Sequence, residues 1–325
     1  QDPRRVVYAE GEEERVLRAV QVVVDDRLAK PILIGRRDVV MRRIEKAGLR
    51  IRIGEHVDLV DPENDPRYAD YWNLYHRLME RSGISPDVAR TVVRTNTTVI
   101  AALMVRRGEA DAMICGTIGK YRNHLGDIRD VIGLRPGVNH PAALSVLILN
   151  KGTFFMCDTY VSPEPTVPEI SEMTALAAEE VRRFGLTPKV ALLSHSNFGS
   201  HDSPSAVKMR QALVEITKRC PDLEVEGEMH ADSALSEGIR ARIFPNSRLK
   251  GKANLLVMPD LDAANIAFNM TKVMGDGLSV GPVLLGINKP AHILTPSVTV
   301  RGIVNMSALA TVDAQVSAAE AAVKA

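Results

Sequence analysis

The sequence predicts an α/β protein of two α/β/α lobes, each built on a mostly parallel β-sheet. The chain has 325 residues, which is long for a single hydrophobic core and suits two lobes. Short apolar runs rich in β-branched residues alternate with amphipathic helical segments along the whole sequence. Such alternation is typical of βαβ units, whose strands pair in parallel.

The first third of the chain contains three predicted strands and a series of helices. The strands are Arg5–Tyr8, 31–35 and Ala112–Cys115. The helices are 11–26, 39–47, 68–83 and a pair within 86–107. The first helix has apolar residues on one face, as expected for a helix packed on a sheet: Val16, Leu17, Val20, Val23 and Val24.

The rest of the chain repeats this rhythm. Strands are predicted at 144–149, 153–157, 190–193, 223–227, 255–258 and 283–286. Helices are predicted at 167–184, 205–219, 263–274 and 304–325. Gly185 follows the end of one helix, and Ser203 with Pro204 form a cap and first-turn pair for the next.

We expect a lobe boundary near residues 137–141. A Pro-rich connection, VSPEPTVPE (161–169), then follows a predicted strand. In α/β proteins, loops at the carboxyl ends of strands line the ligand crevice, so this connection is expected near a ligand.

Composition excludes several function classes. Lys plus Arg number 41 against 40 Asp plus Glu, so no global charge favours nucleic acid or an anionic membrane. Three cysteines without a C-x-x-C pair predict buried, reduced thiols in a cytoplasmic protein, with no metal site. Neither a membrane span nor a signal peptide is expected. The chain begins Gln-Asp-Pro, which fits a piece of something longer.

Two loops after predicted strands are candidate phosphate sites. GTIGKYRNHLG (116–126) offers glycines with Lys120 and Arg122, although it lacks the P-loop pattern and a plain βα turn is the simpler explanation. LSHSNFGSHDS (193–203) offers hydroxyl and N–H groups at the start of a helix, and part of its composition is explained by helix capping. Its His and Asp residues fit no standard metal spacing, and it lacks the G-x-S-x-G nucleophile motif.

Two further loops are less specific. GDGLSVGP (275–282) departs from the dinucleotide fingerprint and more simply ends a helix and begins a strand. GINKPAHILTPSVTVRGIVN (286–305) carries the cations Lys289 and Arg301 among several hydroxyls. A ligand loop and a solvated loop both explain that composition.

These loops, in this order, resemble the phosphate acetyltransferase/butyryltransferase family. The matching motifs are ADAMICGT, GLRPGV, FFMCDTYVSPEPT, ALLSHSNFGS, GEMHADSAL, GKANLLVMPDLDAANIAFNM and GPVLLGINKP. The resemblance implies a phosphotransacetylase-like (isocitrate/isopropylmalate dehydrogenase-like) fold. It implies a first lobe of 1–138 plus 295–325, a second, dimerising lobe of 139–294, and a CoA cleft between the lobes.

The departures from the family pattern concern its catalytic residues. Gly126 stands where active members have Arg, Thr295 where they have Ser, Pro296 where they have a second Arg, and Gly302 where they have Asp. Asp202 replaces a Lys of the phosphate loop. Acetyl transfer to phosphate needs cationic donors and acid–base groups, each worth about 10²- to 10³-fold in rate. No catalytic residue is therefore expected in this chain.

A phosphotransacetylase fold without that set resembles one branch, the C-terminal regulatory domain of hybrid NADP-dependent malic enzymes. The resemblance implies acetyl-CoA as allosteric inhibitor, and no cofactor in this domain. It implies NADP and a divalent metal in the parent enzyme, an N-terminal malic enzyme module as partner, and a homodimer or higher oligomer. The implied acetyl-CoA-binding residues are Lys120, Tyr121, Arg122, Ser196, Asn197, Gly199, Ser200, Asn265, Lys289 and Arg301.

Two alternatives stay open on the sequence. One is an active phosphate acetyltransferase with rearranged catalytic residues. The other is an oligomerisation module that binds no ligand. The missing Arg and Ser residues argue against the first, and the cations and hydroxyls of the loops argue against the second.

Overall fold

A computed structural model describes residues 2–324, and Gln1 and Ala325 lie outside the described residues. The chain divides into two compact units, the first of residues 1–136 and 287–325 and the second of residues 137–286. The expected return to the first lobe at residue 295 is too late. The strand Ala291–Ile293 already pairs in the sheet of the first unit, so the return occurs before it.

The first unit is a five-stranded parallel sheet covered by helices. Its strands in spatial order are β11, β4, β1, β2 and β3, and every pairing is parallel. Its elements are β1 Arg5–Tyr8, α1 Glu14–Asp25, β2 Lys30–Ile34, α2 Arg37–Lys46, β3 Asp58–Val60, α3 Tyr68–Met79, α4 Pro86–Thr95, α5 Thr97–Arg107, β4 Ala112–Cys115, α6 Tyr121–Val131, β11 Ala291–Ile293 and α12 Val300–Lys324. A short 3₁₀ turn, Glu80–Ser82, follows α3.

The second unit is built on a six-stranded sheet. Its elements are β5 Ala142–Leu149, β6 Gly152–Cys157, α7 Val167–Arg183, β7 Lys189–Leu193, α8 Pro204–Arg219, β8 Glu224–Met229, α9 Ala231–Leu235, α10 Glu237–Ile243, β9 Leu255–Val257, α11 Leu261–Met274 and β10 Leu278–Leu285. The spatial order is β10, β5, β6, β9, β7, β8.

This second sheet is mixed, and three of its five strand pairings are parallel, in line with the mostly parallel sheet expected. The pairs β10–β5 and β5–β6 are antiparallel, and the remaining pairs are parallel. Only Asn150 and Lys151 connect β5 to β6, and so short a connection can join antiparallel strands but cannot cross over to a parallel one. The strand β10 starts earlier than predicted and has an irregular register around Pro282, which an edge strand tolerates.

Local capping chemistry confirms several predicted helix ends. Ser203 caps α8 by accepting a hydrogen bond from the Ala206 amide at 3.4 Å, and Pro204 occupies the first turn. Gly185 follows α7 with a positive φ of 75°, which glycine adopts without strain. Among the described residues, no helix is both long and apolar enough to cross a membrane.

Candidate functional site

The carboxyl edge of the first sheet gathers most of the candidate cations. The strands β1, β4 and β11 are adjacent and parallel, so the loops that follow them emerge at the same edge. These loops are residues 9–13, 116–120 and 294–299. Lys120 and Arg122 follow β4, and Arg301 lies in the first turn of α12 after β11.

The loops after β4 and β11 are in direct backbone contact. The Leu294 amide donates to the Cys115 carbonyl at 2.7 Å. Gly116 has a φ of 92°, and a Cβ there would lie 2.5 Å from the Leu294 carbonyl oxygen. Glycine is therefore required at position 116 for both conformation and space.

Arg15 on α1 ties these two loops together. Its Nη1 donates to the carbonyls of Pro296 at 2.7 Å and Val298 at 3.0 Å. Its Nη2 donates to the Thr117 carbonyl at 3.3 Å, and Glu13 holds the guanidinium in place at 2.8 Å. A single side chain thus connects the loop that carries Lys120 to the loop that leads into the helix of Arg301.

Glu10, in the loop after β1, stabilises the same edge through hydrogen bonds. Its carboxylate accepts the Gly116 amide at 3.0 Å and the Thr117 hydroxyl at 3.2 Å. Desolvation raises the pKa of Glu10, and these hydrogen bonds oppose that rise. His124 closes the loop from α6, since its Nε2 lies 2.7 Å from the Ile118 carbonyl oxygen.

The side chains of three candidate cations at this edge are available to a ligand. Lys120, Arg122 and Arg301 are exposed, and within residues 2–324 they form no hydrogen bond or ion pair through their side chains. Tyr121 is partly buried at the first position of α6, and no side chain caps that helix. Helix amides and cations at one edge make a local anion-attracting surface on a chain of net charge +1.

Lys289 does not belong to this group. It follows the end of β10, as expected, and it precedes β11, where its neighbour Pro290 accepts a hydrogen bond from the Met113 amide near the start of β4. Because β4 and β11 are parallel, Lys289 lies at the amino edge of the first sheet, opposite to Lys120. The strand that it follows, β10, belongs to the second unit.

The positions that differ from the catalytic pattern are structurally distinct. Gly126 lies on α6, and a Cβ there would meet nothing within 4 Å. Gly302 is crowded, since a Cβ there would lie 2.9 Å from Cγ2 of Val298. Thr295 is partly buried with its hydroxyl 3.1 Å from that of Ser297, and Pro296 is exposed. No ionisable side chain is present at these four positions.

In the second unit, the carboxyl edge is formed by the loops after β6, β7, β8 and β9. Four buried-strand ends meet there because these strands are parallel. Asp158 organises the loop after β6 by accepting the amides of Ala143, Tyr160, Val161 and Ser162 at 2.8 to 3.1 Å. Burial raises the pKa of Asp158 despite these four donors.

The loop after β7 uses most of its candidate donors internally. Ser196 is fully buried, and its hydroxyl donates to Glu228 at 2.7 Å. The Gly199 amide donates to the same carboxylate at 2.8 Å, and Asn197 accepts the His230 amide at 2.8 Å. These groups hold the loop together, and a ligand contact for Ser196, Asn197 and Gly199 stays a prediction.

Two candidates of the second unit stay at its surface. Ser200 is exposed, and its hydroxyl accepts the Asn197 amide at 3.0 Å. Asn265 is partly buried on α11, where its amide donates to the Thr159 carbonyl at 3.2 Å. Asn265 therefore links α11 to the loop after β6.

The sequence reasoning missed the side chains that organise both edges. Arg15 was read only as part of a helix, and Glu10 was not singled out. Arg210 and Glu228 were also missed, although both support the loop after β7. The one available signal was an acidic residue directly after a predicted strand, as for Glu10 after Arg5–Tyr8. Arg15 and Arg210 lie inside helices, where nothing in the local sequence distinguishes them from surface arginines.

Relatives of known name fall into two groups. The chain is 58% identical over 309 residues to an NAD-dependent malic enzyme of Rhizobium meliloti, covering 95% of this chain and 40% of that protein. It is 53% identical to an NADP-dependent malic enzyme of Escherichia coli, covering 96% of this chain and 41% of that protein. A phosphate acetyltransferase of Nitratidesulfovibrio vulgaris is 31% identical, with 96% and 44% covered. The chain thus spans less than half the length of these relatives.

Solved structures give the same picture. A phosphotransacetylase from Streptococcus pyogenes matches with a TM-score of 0.89 at 25% identity, covering 96% of this chain and 94% of that one. The EutD phosphotransacetylase from Staphylococcus aureus matches with a TM-score of 0.86, also at 25% identity and with the same coverage. The family model described as Phosphate acetyl/butaryl transferase matches residues 1–311, and the chain therefore belongs to that family.

Proposed function

We propose that this chain is a non-catalytic, regulatory domain of a malic enzyme that binds acetyl-CoA. The names of the relatives at 58% and 53% identity support the malic enzyme, and their greater length supports a further module in the same protein. Because those names include both NAD and NADP, the wider proposal is a nicotinamide-dependent enzyme that converts malate oxidatively to pyruvate. Within it, NADP and a divalent metal would serve the other module.

The case against transferase chemistry rests on four positions. Transfer of acetyl to phosphate requires groups that hold a dianion in line and stabilise the departing thiolate. Gly126 and Pro296 provide no charge, Gly302 provides no carboxylate, and Thr295 already pairs with Ser297 at 3.1 Å. Gly302 is also packed against Val298, so the structure has no room for an acid there without a shift. A working phosphate acetyltransferase, the enzyme alternative, is therefore not our proposal.

The ligand proposal rests on one observation. Arg15 joins two loops of one sheet edge, and the segments that begin with these loops present the exposed cations Lys120, Arg122 and Arg301. Acetyl-CoA carries a pyrophosphate and a 3′-phosphate, which require local cations and N–H donors. We assign the phosphates to this edge, with Tyr121 beside them. Lys289 drops out of the proposed site because it lies at the opposite edge.

The second unit contributes less to the proposal. Ser200 and Asn265 stay predictions from the sequence. We assign no direct ligand contact to Ser196, Asn197 and Gly199, which stabilise the conformation of the loop after β7. This assignment gives the phosphates of acetyl-CoA to the exposed cations of the first unit.

A self-association surface is proposed on the second unit. Four apolar side chains at helical spacing on α11 are 56 to 80% exposed, namely Ile266, Met270, Val273 and Met274. Ile148 on β5 is also 43% exposed. Contiguous exposed apolar surface of this kind marks an interaction site, and a second copy of the chain is the proposed occupant. Oligomerisation would then accompany ligand binding.

The compartment is proposed to be the cytoplasm. Cys115 and Cys157 are buried, Cys220 is partly exposed where a buried thiol was expected, and all three are free thiols. Free thiols are typical of a reducing compartment.

One pair of assays tests the proposed function. Purified domain is titrated with acetyl-CoA by calorimetry, and separately incubated with CoA and acetyl phosphate to measure acetyl-CoA formation. Saturable binding without turnover supports the proposal. Turnover in the ordinary enzyme range of about 1–10³ per second would favour the transferase instead.

A further inference from the structure

Beside the loop after β7, a carboxylate of β8 occupies the place where a small anion would bind. Three donors converge on Oε1 of Glu228: the Ser196 hydroxyl at 2.7 Å, the Gly199 amide at 2.8 Å and Arg210 Nη1 at 3.0 Å. Glu228 is fully buried. Convergent N–H, O–H and guanidinium donors are the groups that proteins use to hold phosphate oxygens. Here the protein's own carboxylate satisfies them.

A second carboxylate engages the remaining face of the same guanidinium. Arg210 Nη2 lies 2.5 Å from Oδ1 of Asp202, and Nη1 also donates to the His201 carbonyl at 3.0 Å. The side chain of Asp202 is 86% exposed, so it lies on the solvent side of Arg210. The side chain of Arg210 is itself 30% exposed, so an anion from solvent must compete with Asp202 for Nη2.

The charge of this cluster is negative. Two carboxylates, of Asp202 and Glu228, oppose the single guanidinium of Arg210. The next cation on α8, Lys208, lies 3.9 Å from Glu164 in the loop after β6. The neighbouring histidines, His195, His201 and His230, add no charge when neutral. A phosphate dianion would thus be repelled here, even though the backbone geometry resembles an anion site.

We propose that Asp202 excludes inorganic phosphate and similar small dianions from the loop after β7 by occupying Arg210. This deepens the proposed function and rests on it, because a domain without transferase chemistry has no need of a phosphate acceptor at this loop. Asp202 is then a specificity residue, acting through Arg210. The losses at Gly126 and Gly302 remove catalysis, and Asp202 removes the acceptor independently.

The test measures phosphate binding to variants of Asp202. Asp202→Asn removes the charge, and Asp202→Lys reverses it while Arg210 stays in place. Titration with inorganic phosphate at pH 8, followed by ³¹P NMR at low salt, is expected to show no saturable binding to the unaltered chain. Both variants should show saturable binding, and the affinity should be higher for Asp202→Lys than for Asp202→Asn.

Two controls separate a specific gain from a general change of charge. Asp222→Lys makes the same reversal at an exposed residue before β8, at the amino edge of the same sheet, and should gain nothing. In the double variant Asp202→Asn/Arg210→Gln the gain should disappear, because the freed guanidinium is its source. Near-ultraviolet circular dichroism reports whether each variant keeps its packing.

The outcomes are distinct from those of the acetyl-CoA test. Phosphate affinity in Asp202→Asn and Asp202→Lys equal to that of Asp222→Lys would overturn the inference. So would millimolar phosphate binding by the unaltered chain. Failure of the unaltered chain to bind acetyl-CoA refutes the proposed function instead, and leaves the phosphate result to be judged on its own measurements.

Discussion

Charge reversal at Arg301 tests where the phosphates of acetyl-CoA bind. Arg301 is exposed in the first turn of α12 and makes no side-chain hydrogen bond or ion pair within the described chain. Arg301→Glu should therefore leave folding intact while it removes one charge-assisted contact to the ligand. Loss of such a contact costs about 1.5–3 kcal/mol, or roughly 10- to 150-fold in affinity.

Because Arg301 is exposed to solvent, we expect the loss of affinity at physiological salt to lie in the lower part of that range. Charges beyond about 8 Å are largely screened at that ionic strength. We expect a loss of about tenfold there and a larger loss at low salt, where the introduced carboxylate also repels the phosphates. In the longer malic enzyme, the same variant should keep malate turnover and lose sensitivity to acetyl-CoA, because binding and inhibition are linked.

Lys289→Glu is the matched control for this experiment. It makes the same kind of reversal on an exposed, unpaired side chain, but at the amino edge of the same sheet. Isothermal titration calorimetry with acetyl-CoA should give an affinity within about twofold of the unaltered domain. The reasoning is refuted if Lys289→Glu weakens binding as much as Arg301→Glu, or if Arg301→Glu has no effect at low salt.

Four further predictions follow from the same geometry. Gly126→Ala should raise the free energy of unfolding by about 0.5–1 kcal/mol in urea titrations, since the added Cβ enters open space on a helix. Gly302→Ala should lower the free energy of unfolding, because its Cβ would lie 2.9 Å from Val298. Equal effects of the two variants would contradict this. Because the pKa of Glu10 is raised in the folded state, its contribution to stability is greatest below about pH 4.5 and declines as pH rises through that raised pKa. Glu10→Gln should therefore flatten the pH dependence of the unfolding midpoint above pH 4.5. A pH profile parallel to that of the unaltered chain would count against a buried, desolvated Glu10. Light scattering should give a mass of at least twice 35.5 kDa at micromolar concentration, and Val273→Glu should reduce it, with exposed Val88→Glu on α4 as a control that leaves it unchanged. Arg15→Gln should weaken acetyl-CoA binding without removing a ligand contact, because the loops of Thr117 and Pro296 lose their tie; unchanged affinity would show that the loops are fixed by other contacts.

Local pattern was sufficient for several elements. The strands Arg5–Tyr8 and Ala112–Cys115 were predicted to the residue, because each contains a run of buried apolar residues. Helix α8 was predicted with its Ser203 cap, since capping is a property of adjacent residues. The fold of the phosphotransacetylase family followed from motif order, and the comparisons bear it out.

Short elements and long-range contacts could not be predicted from the sequence. The strand β11 has three residues and was missed, so the sequence did not show that Lys289 lies at the amino edge of the first sheet. Helix α6 was missed because Gly126 and a polar composition hide its period. The burial of Ser196 depends on Glu228, which lies 32 residues away, and no local pattern indicates that pairing.

The most direct test of the central claim is a calorimetric titration of the unaltered domain with acetyl-CoA at low and physiological salt. Our account predicts saturable binding that weakens as salt rises, because exposed cations at the edge carrying Lys120 and Arg301 hold the phosphates. CoA without the acetyl group should bind at the same edge. The absence of saturable binding at millimolar acetyl-CoA would contradict the account, and a module that only oligomerises would then be the better description.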